Sequence, residues 1–224
     1  MKRIFTLVCL FIYLKMHAQK CGDYLFLQNN KTVEMTIYNK KGEEKGKQIY
    51  TVSNVANSGD VTTATLNSEM FYRKGKSIVK ANNHVKCVDG VMMMNMKMMV
   101  PQQQAEQFGN AEATAEDVYI DYPSSMKVGD QLKDGAFNMD INNNGLKQTV
   151  SMTISDRKVE GKESVTTAAG TWDCFKISYK SKMVVKTAGI GIPVNIEGNE
   201  WYAPGVGVVK TQSKSGGTAI TAIK

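Results

Sequence analysis

Apolar and polar residues alternate along most of this chain. In Thr32–Tyr38, Val33, Met35 and Ile37 interleave with Thr32, Glu34 and Thr36, the period-two pattern of a half-buried strand. Similar segments cover 48–55, 61–72, 77–88 and 91–100. They are separated by the polar turns Lys40-Lys-Gly-Glu-Glu-Lys-Gly46, Asn57-Ser-Gly-Asp60, Arg73-Lys-Gly-Lys76 and Asp89-Gly90, the last a strong hairpin signal. After a break the pattern resumes. Segments 137–141 and 146–155 flank Asn142-Asn-Asn-Gly145, with Val150, Met152 and Ile154 on one face. Further strands are expected at 158–166, 172–179, 183–187, 194–202, 206–211 and 218–223. A single short helix is predicted near 101–108, where Pro101 precedes good helix formers and Gly109-Asn110 follows. The expectation is an all-β antiparallel protein, in which two meander halves meet near 101–135.

The most unusual segment is Val91-Met-Met-Met-Asn-Met-Lys-Met-Met-Val100. Read as one central strand, it puts Met92, Met94, Met96 and Met98 on a common face, with Met93, Asn95, Lys97 and Met99 on the other. Thioether side chains are flexible and polarisable, so the stripe suits core packing or the lining of a cavity for an apolar ligand. The sharper alternative is Cu(I), which thioethers also suit. Trp201-Tyr202 is a second candidate ligand contact. Adjacent aromatics in a strand face opposite sides, one toward the core and one toward a ligand or headgroup.

Lys2 and Arg3, the apolar run 4–14 and the small residue Ala18 follow the order of a secretory signal peptide. The run is too short for a membrane-spanning helix, which needs about 20 residues. Cleavage after Ala18 is expected, leaving 19–224 as a single β-rich exported domain, soluble in the periplasm or outside the cell, with no transmembrane segment. Lys20 before Cys21 argues against lipidation, where a small residue is wanted. Cys9 leaves with the signal, so an oxidising compartment meets Cys21, Cys87 and Cys174. Cys174 lies in the apolar pattern of 172–179 and reads as a buried free thiol, which favours a Cys21–Cys87 disulfide.

Charge narrows the partners. The whole chain carries +7; segment 1–18 contributes Lys2, Arg3 and Lys15 and no acid, so the remainder carries +4. Only Arg73 and Arg157 are arginines in that remainder, and phosphate and base recognition favours arginine. Nucleic acid is therefore not an expected partner, whereas mild attraction to an anionic envelope surface fits. G-x-S-x-G, H-E-x-x-H and P-loop patterns are absent, no cofactor is expected, and His84 in Asn82-Asn-His-Val85 reads as a surface histidine. A hydrolase built on paired carboxylates is a further alternative, with Asp121, Asp130, Asp134 and Asp140 as nominal candidates.

Three motifs carry a family resemblance: Tyr122-Pro-Ser-Ser-Met-Lys-Val-Gly-Asp130, Thr166-Thr-Ala-Ala-Gly-Thr-Trp-Asp-Cys-Phe-Lys-Ile177 and Glu200-Trp-Tyr-Ala-Pro-Gly-Val-Gly-Val-Val-Lys210. They resemble the TapB-like exported β-rich proteins of Bacteroidota, a family of domains of unknown function. Ala168 stands where that family usually has proline. The resemblance implies a strongly curved antiparallel sheet, a half-barrel or open barrel, and export to the envelope; it implies no catalytic residues. The expected function is non-enzymatic binding of an apolar, lipid-like ligand or a partner protein, with periplasmic Cu(I) binding and an envelope hydrolase as alternatives.

Overall fold

The computed structural model describes residues 21–100, 112–143 and 145–224. The predicted signal peptide and the predicted helix at 101–108 lie outside the described residues. All strands join one antiparallel sheet: β1 (Thr32–Asn39), β2 (Glu44–Ser58), β3 (Val61–Tyr72), β4 (Ser77–Val88), β5 (Val91–Asn95), β6 (Glu112–Thr114), β7 (Tyr119–Tyr122), β8 (Gly135–Asn143), β9 (Leu146–Thr167), β10 (Gly170–Thr187), β11 (Ile190–Ala203), β12 (Gly207–Ser213) and β13 (Gly216–Ile223). The spatial order is β6-β8-β9-β10-β11-β12-β13-β1-β2-β3-β4-β5-β7. Two meanders are thus joined through β13 and β1, and the first and last strands of the chain lie at the middle of the sheet. Among the described residues, helical structure is limited to 3-10 turns at Cys21–Asp23, Leu25–Leu27 and Met96–Met99.

The sheet curls into a half-barrel. Its edge strand β7 comes back over the concave face of β9–β11, where Tyr122 hydrogen-bonds Glu200 and stacks on Tyr202. The loop 129–132 closes further, because Gly129 and Leu132 donate to the Val159 and Arg157 carbonyls. Bulges produce the curl. On β9, Asp156 (φ 54°) and Arg157 together oppose Tyr179, since Ser155 pairs with Lys180 and Lys158 with Ser178. A bulge bends its strand and re-aims the side chains beyond it. Strict alternation from Val150, Met152 and Ile154 would point Arg157 outward; the extra residue turns it into the interior, where its side chain is 0% exposed. The long β9 and β10 replace what the hydrophobic pattern predicts as four shorter strands.

The two ends of the half-barrel differ. The β2–β3, β4–β5, β9–β10 and β11–β12 turns mark one end, and the segment Tyr24–Leu27 plugs it. Tyr24, Leu25, Phe26 and Leu27 are all buried. Leu25 N–H donates to Gly205 O, Tyr24 O–H to Gly90 O, and Cys21 is bonded to Cys87 of β4. Gly207 (φ 114°) is required here, because a Cβ would lie 2.9 Å from the Phe26 ring. The β1–β2, β3–β4, β8–β9, β10–β11 and β12–β13 turns mark the other end, which is open.

The methionine segment departs from its expected geometry. β5 is next to the sheet edge rather than central, and it stops at Asn95. Asn95 caps the following 3-10 turn by accepting from Lys97 N–H, and donates its side-chain amide to Asp117. Asp117 also binds Lys97 Nζ at 2.9 Å and His84 Nδ1 at 2.7 Å. Burial raises the Asp117 carboxyl, but the hydrogen bonds from His84, Lys97 and Asn95 outweigh it and hold the group below the usual carboxylate range. This polar clamp breaks the four-methionine stripe after its second member. It also explains how the polar Asn95 is fully buried.

Candidate functional site

The concave face leaves a cleft of about 970 Å³ running to the open end. Its walls are mostly apolar, with polar side chains such as Gln48, Ser181, Asn195 and Thr211 among them, and come from distant parts of the chain. Six methionines line it: Met35 of β1, Met70 of β3, Met94 of β5, Met98 and Met99 of the 3-10 turn, and Met152 of β9. Phe26 of the plug, Tyr50, Ile120, Ile154, Val194 and Ile196 add to the apolar surface. Lys45 at the start of β2 and Arg73, Lys74 and Lys76 of the β3–β4 turn reach its mouth.

One charged pair lies on the cleft wall. Arg157 Nη1 donates to the Asp121 and Lys133 carbonyls, each at 3.1 Å, and Nη2 lies 3.4 Å from Glu200 Oε1. The guanidinium also sits 4.8 Å from the centre of the Tyr122 ring. Tyr122 O–H donates to Glu200 Oε2 at 3.0 Å. Arg157 Nε has no hydrogen-bond partner among the described residues. Burial pushes the Glu200 carboxyl above the usual range, while the Arg157 charge and the hydrogen bonds from Tyr122 and Arg157 pull it back. Burial and the Glu200 charge push the Tyr122 phenol well above its ordinary value, so it remains a donor.

The candidate residues separate into distinct places. Met94 and Met98 line the cleft. Met92 and Met96 are fully buried in the core. Met92 pairs across from Cys87 and Tyr122. Met96 packs on Gly135, where a Cβ would lie 2.6 Å from its sulfur. Tyr202 is buried on the inner face against Tyr122. Trp201 lies on the opposite face under the ammonium groups of Lys176 and Lys210, and its indole N–H donates to Glu163. The four methionines of the expected Cu(I) stripe are therefore divided between core and cleft. Sequence pattern missed Met35, Met70 and Met152, which only the curl brings to Met94.

Cys174 is a free, buried cysteine whose thiol burial pushes up to about 11, which keeps it protonated and unreactive. Glu200 is the single carboxylate among the described cleft-lining residues, whereas paired-acid hydrolysis needs two. Asp130 instead caps the turn at Lys127, and Asp140 accepts from Thr149 on the sheet surface. His84 is an exposed partner of Asp117. Among the described residues no cluster of His, Cys, Asp and Glu could hold a metal, and no helix is long and apolar enough to cross a membrane.

Comparison with known proteins agrees with this architecture. The DUF3108-like family profile matches residues 28–219. The chain belongs to the DUF3108-like family. No curated protein matches it. A crystal structure from Bacteroides fragilis, described as an exported protein with a YmcC-like fold, superposes with a TM-score of 0.73 at 22% identity, covering 88% of this chain and 96% of that one. One from Parabacteroides distasonis, described as a lipoprotein, gives 0.76 at 20% identity, covering 92% of this DUF3108-like chain and 100% of its own. At these identities the likeness establishes the fold.

Proposed function

We propose that this DUF3108-like protein is an exported, non-enzymatic binder of a lipid-like ligand held in the concave cleft. The narrower TapB-like assignment rests on the three motifs quoted above, and export rests on the leader pattern together with the exported and lipoprotein descriptions of the two structural neighbours. The disulfide supports the absence of a lipid on Cys21, because the same sulfur is bonded to Cys87. The observation that carries the ligand reading is the cleft itself. Its volume of about 970 Å³ lies at the upper end of the roughly 300–1,000 Å³ of small-molecule sites. Six methionine side chains give it a surface that adapts to acyl chains of varied shape.

The mechanism is physical. Moving an acyl chain from water to the cleft gains about 0.8 kcal/mol per buried CH₂. Arg157 and Glu200, with Gln48, Ser181, Asn195 and Thr211, supply polar area within the cleft. The test is titration of cis-parinaric acid, a fluorescent long-chain fatty acid, into the purified protein. Saturable binding is expected. Ile196→Trp, at a half-buried cleft position, is expected to weaken it about tenfold or more by occupying part of the volume. Val128→Trp, at an exposed loop position, should leave it unchanged. Non-saturable uptake by the wild type, or equal binding by the Ile196 variant, contradicts the reading.

A further inference from the structure

At the open end the β10–β11 hairpin overhangs its neighbour β12. β11 pairs with β12 only from Gly198 onward, so residues 190–197 continue past β12 with β10 as their partner. That overhang is eight residues, or about 27 Å of extended chain. Pro193, which lacks an N–H, fits a segment with one unpaired edge. The tip is apolar and exposed: Ile190 is 73% and Ile192 67% accessible, and Leu146 at the adjacent β8–β9 turn is 50% accessible. These are three of the five large hydrophobic side chains that the described residues leave exposed.

Register places them on a meaningful face. Ile192 pairs with Val185 and Val194 with Met183. Side chains two apart share a face, so Ile190, Ile192, Val194 and Ile196 form one stripe. Its inner half lines the cleft and its outer half stands in solvent. Charge surrounds the tip and mouth. The β1–β2, β3–β4 and β12–β13 turns contribute Lys40, Lys41, Arg73, Lys74, Lys76 and Lys214, against Glu43 and Glu44. Lys147 and Lys186 flank the tip, with Asp140 on β8. None of these basic residues forms a salt bridge among the described residues.

We infer that the open end docks on an anionic lipid bilayer, with Ile190, Ile192 and Leu146 entering the interface and the basic turns resting on the headgroups. Aliphatic side chains projecting from a lysine-flanked rim match a negatively charged surface with an apolar layer beneath it. The inference extends the cleft reading, because the isoleucine stripe then leads from the bilayer into the ligand cavity. It is nevertheless measured separately.

The test is flotation of the purified protein with phosphatidylethanolamine–phosphatidylglycerol vesicles and with phosphatidylcholine vesicles. Co-flotation with the anionic vesicles, weakened by salt, is expected. The Ile190→Ser/Ile192→Ser variant is expected to bind them about tenfold more weakly or worse, and Lys74→Glu/Lys76→Glu similarly. Both sites are exposed, and an unchanged melting temperature checks that each variant folds. Failure of the wild type to float, equal flotation with phosphatidylcholine, or undiminished flotation of the isoleucine variant overturns docking. A protein partner at this end would give the first of these results. The cleft reading stands or falls on other data: Ile190→Ser/Ile192→Ser should still bind cis-parinaric acid in solution, and Ile196→Trp should still float.

Discussion

Arg157→Ala is expected to destabilise the protein by about 3–5 kcal/mol, the usual cost of removing one partner from a buried ion pair. Glu200 would keep a buried carboxyl without its cation, and the Asp121 and Lys133 carbonyls would lose their shared donor. Those two bonds tie the edge strand β7 and the loop before β8 onto the β9 bulge, so the curl itself should loosen. Urea unfolding midpoints measure the loss. The pH dependence adds a signature. Burial raises the folded Glu200 pKa above 4.5, against the pull of Arg157 and Tyr122. A carboxyl that holds its proton more tightly when folded takes stability away as pH rises from 4.5 through its folded value. Alanine at 157 removes the main counter-pull, so the variant should lose stability more steeply than wild type across that window. A loss below about 1 kcal/mol, within the range of an exposed ion pair, would mean that the cluster does not hold the curl.

Cys21→Ala/Cys87→Ala is expected to cost about 4 kcal/mol, from the loop-closure entropy of a long cross-link. The sequence separation is 66 residues. The bond fastens the plug Tyr24–Leu27 to β4, so its loss frees the closed end as well as the unfolded chain. Thermal melts of the variant, and of wild type with and without reductant, read the effect. Cys174→Ala serves as the control, since that buried thiol is free. Equal melting with and without reductant would show that the plug is held by packing alone.

Much of the sheet is legible in the sequence because most strands have one wet face. β1 and β3 alternate clearly, and Asp89-Gly90 and Asn142–Gly145 mark the β4–β5 and β8–β9 hairpins. The disulfide follows from cysteine arithmetic and the apolar setting of Cys174. What alternation cannot express is a bulge. One extra residue at Asp156–Arg157 reverses the facing of Arg157 and Val159, until a second shift at Glu160 restores it, and that local reversal buries the charged pair seen among the described residues of the cleft. Nor does alternation reveal that β5 ends at Asn95, because the cap depends on Asp117, which is 22 residues away. The plug has no period at all: Tyr24-Leu-Phe-Leu27 is a short apolar run whose burial depends on the Cys21 tether. The site was half legible for the same reason. Met94 and Met98 stand out locally, but Met35, Met70 and Met152 join them only through the curl.

The central claim is that the cleft holds an apolar ligand. Native mass spectrometry of the protein purified from its own envelope tests it most directly. The expected spectrum contains an added mass of lipid size, which Ile196→Trp diminishes. A protein that carries only its own mass, and that also fails to take up added cis-parinaric acid, would contradict the account; so would an adduct of copper mass in place of the lipid.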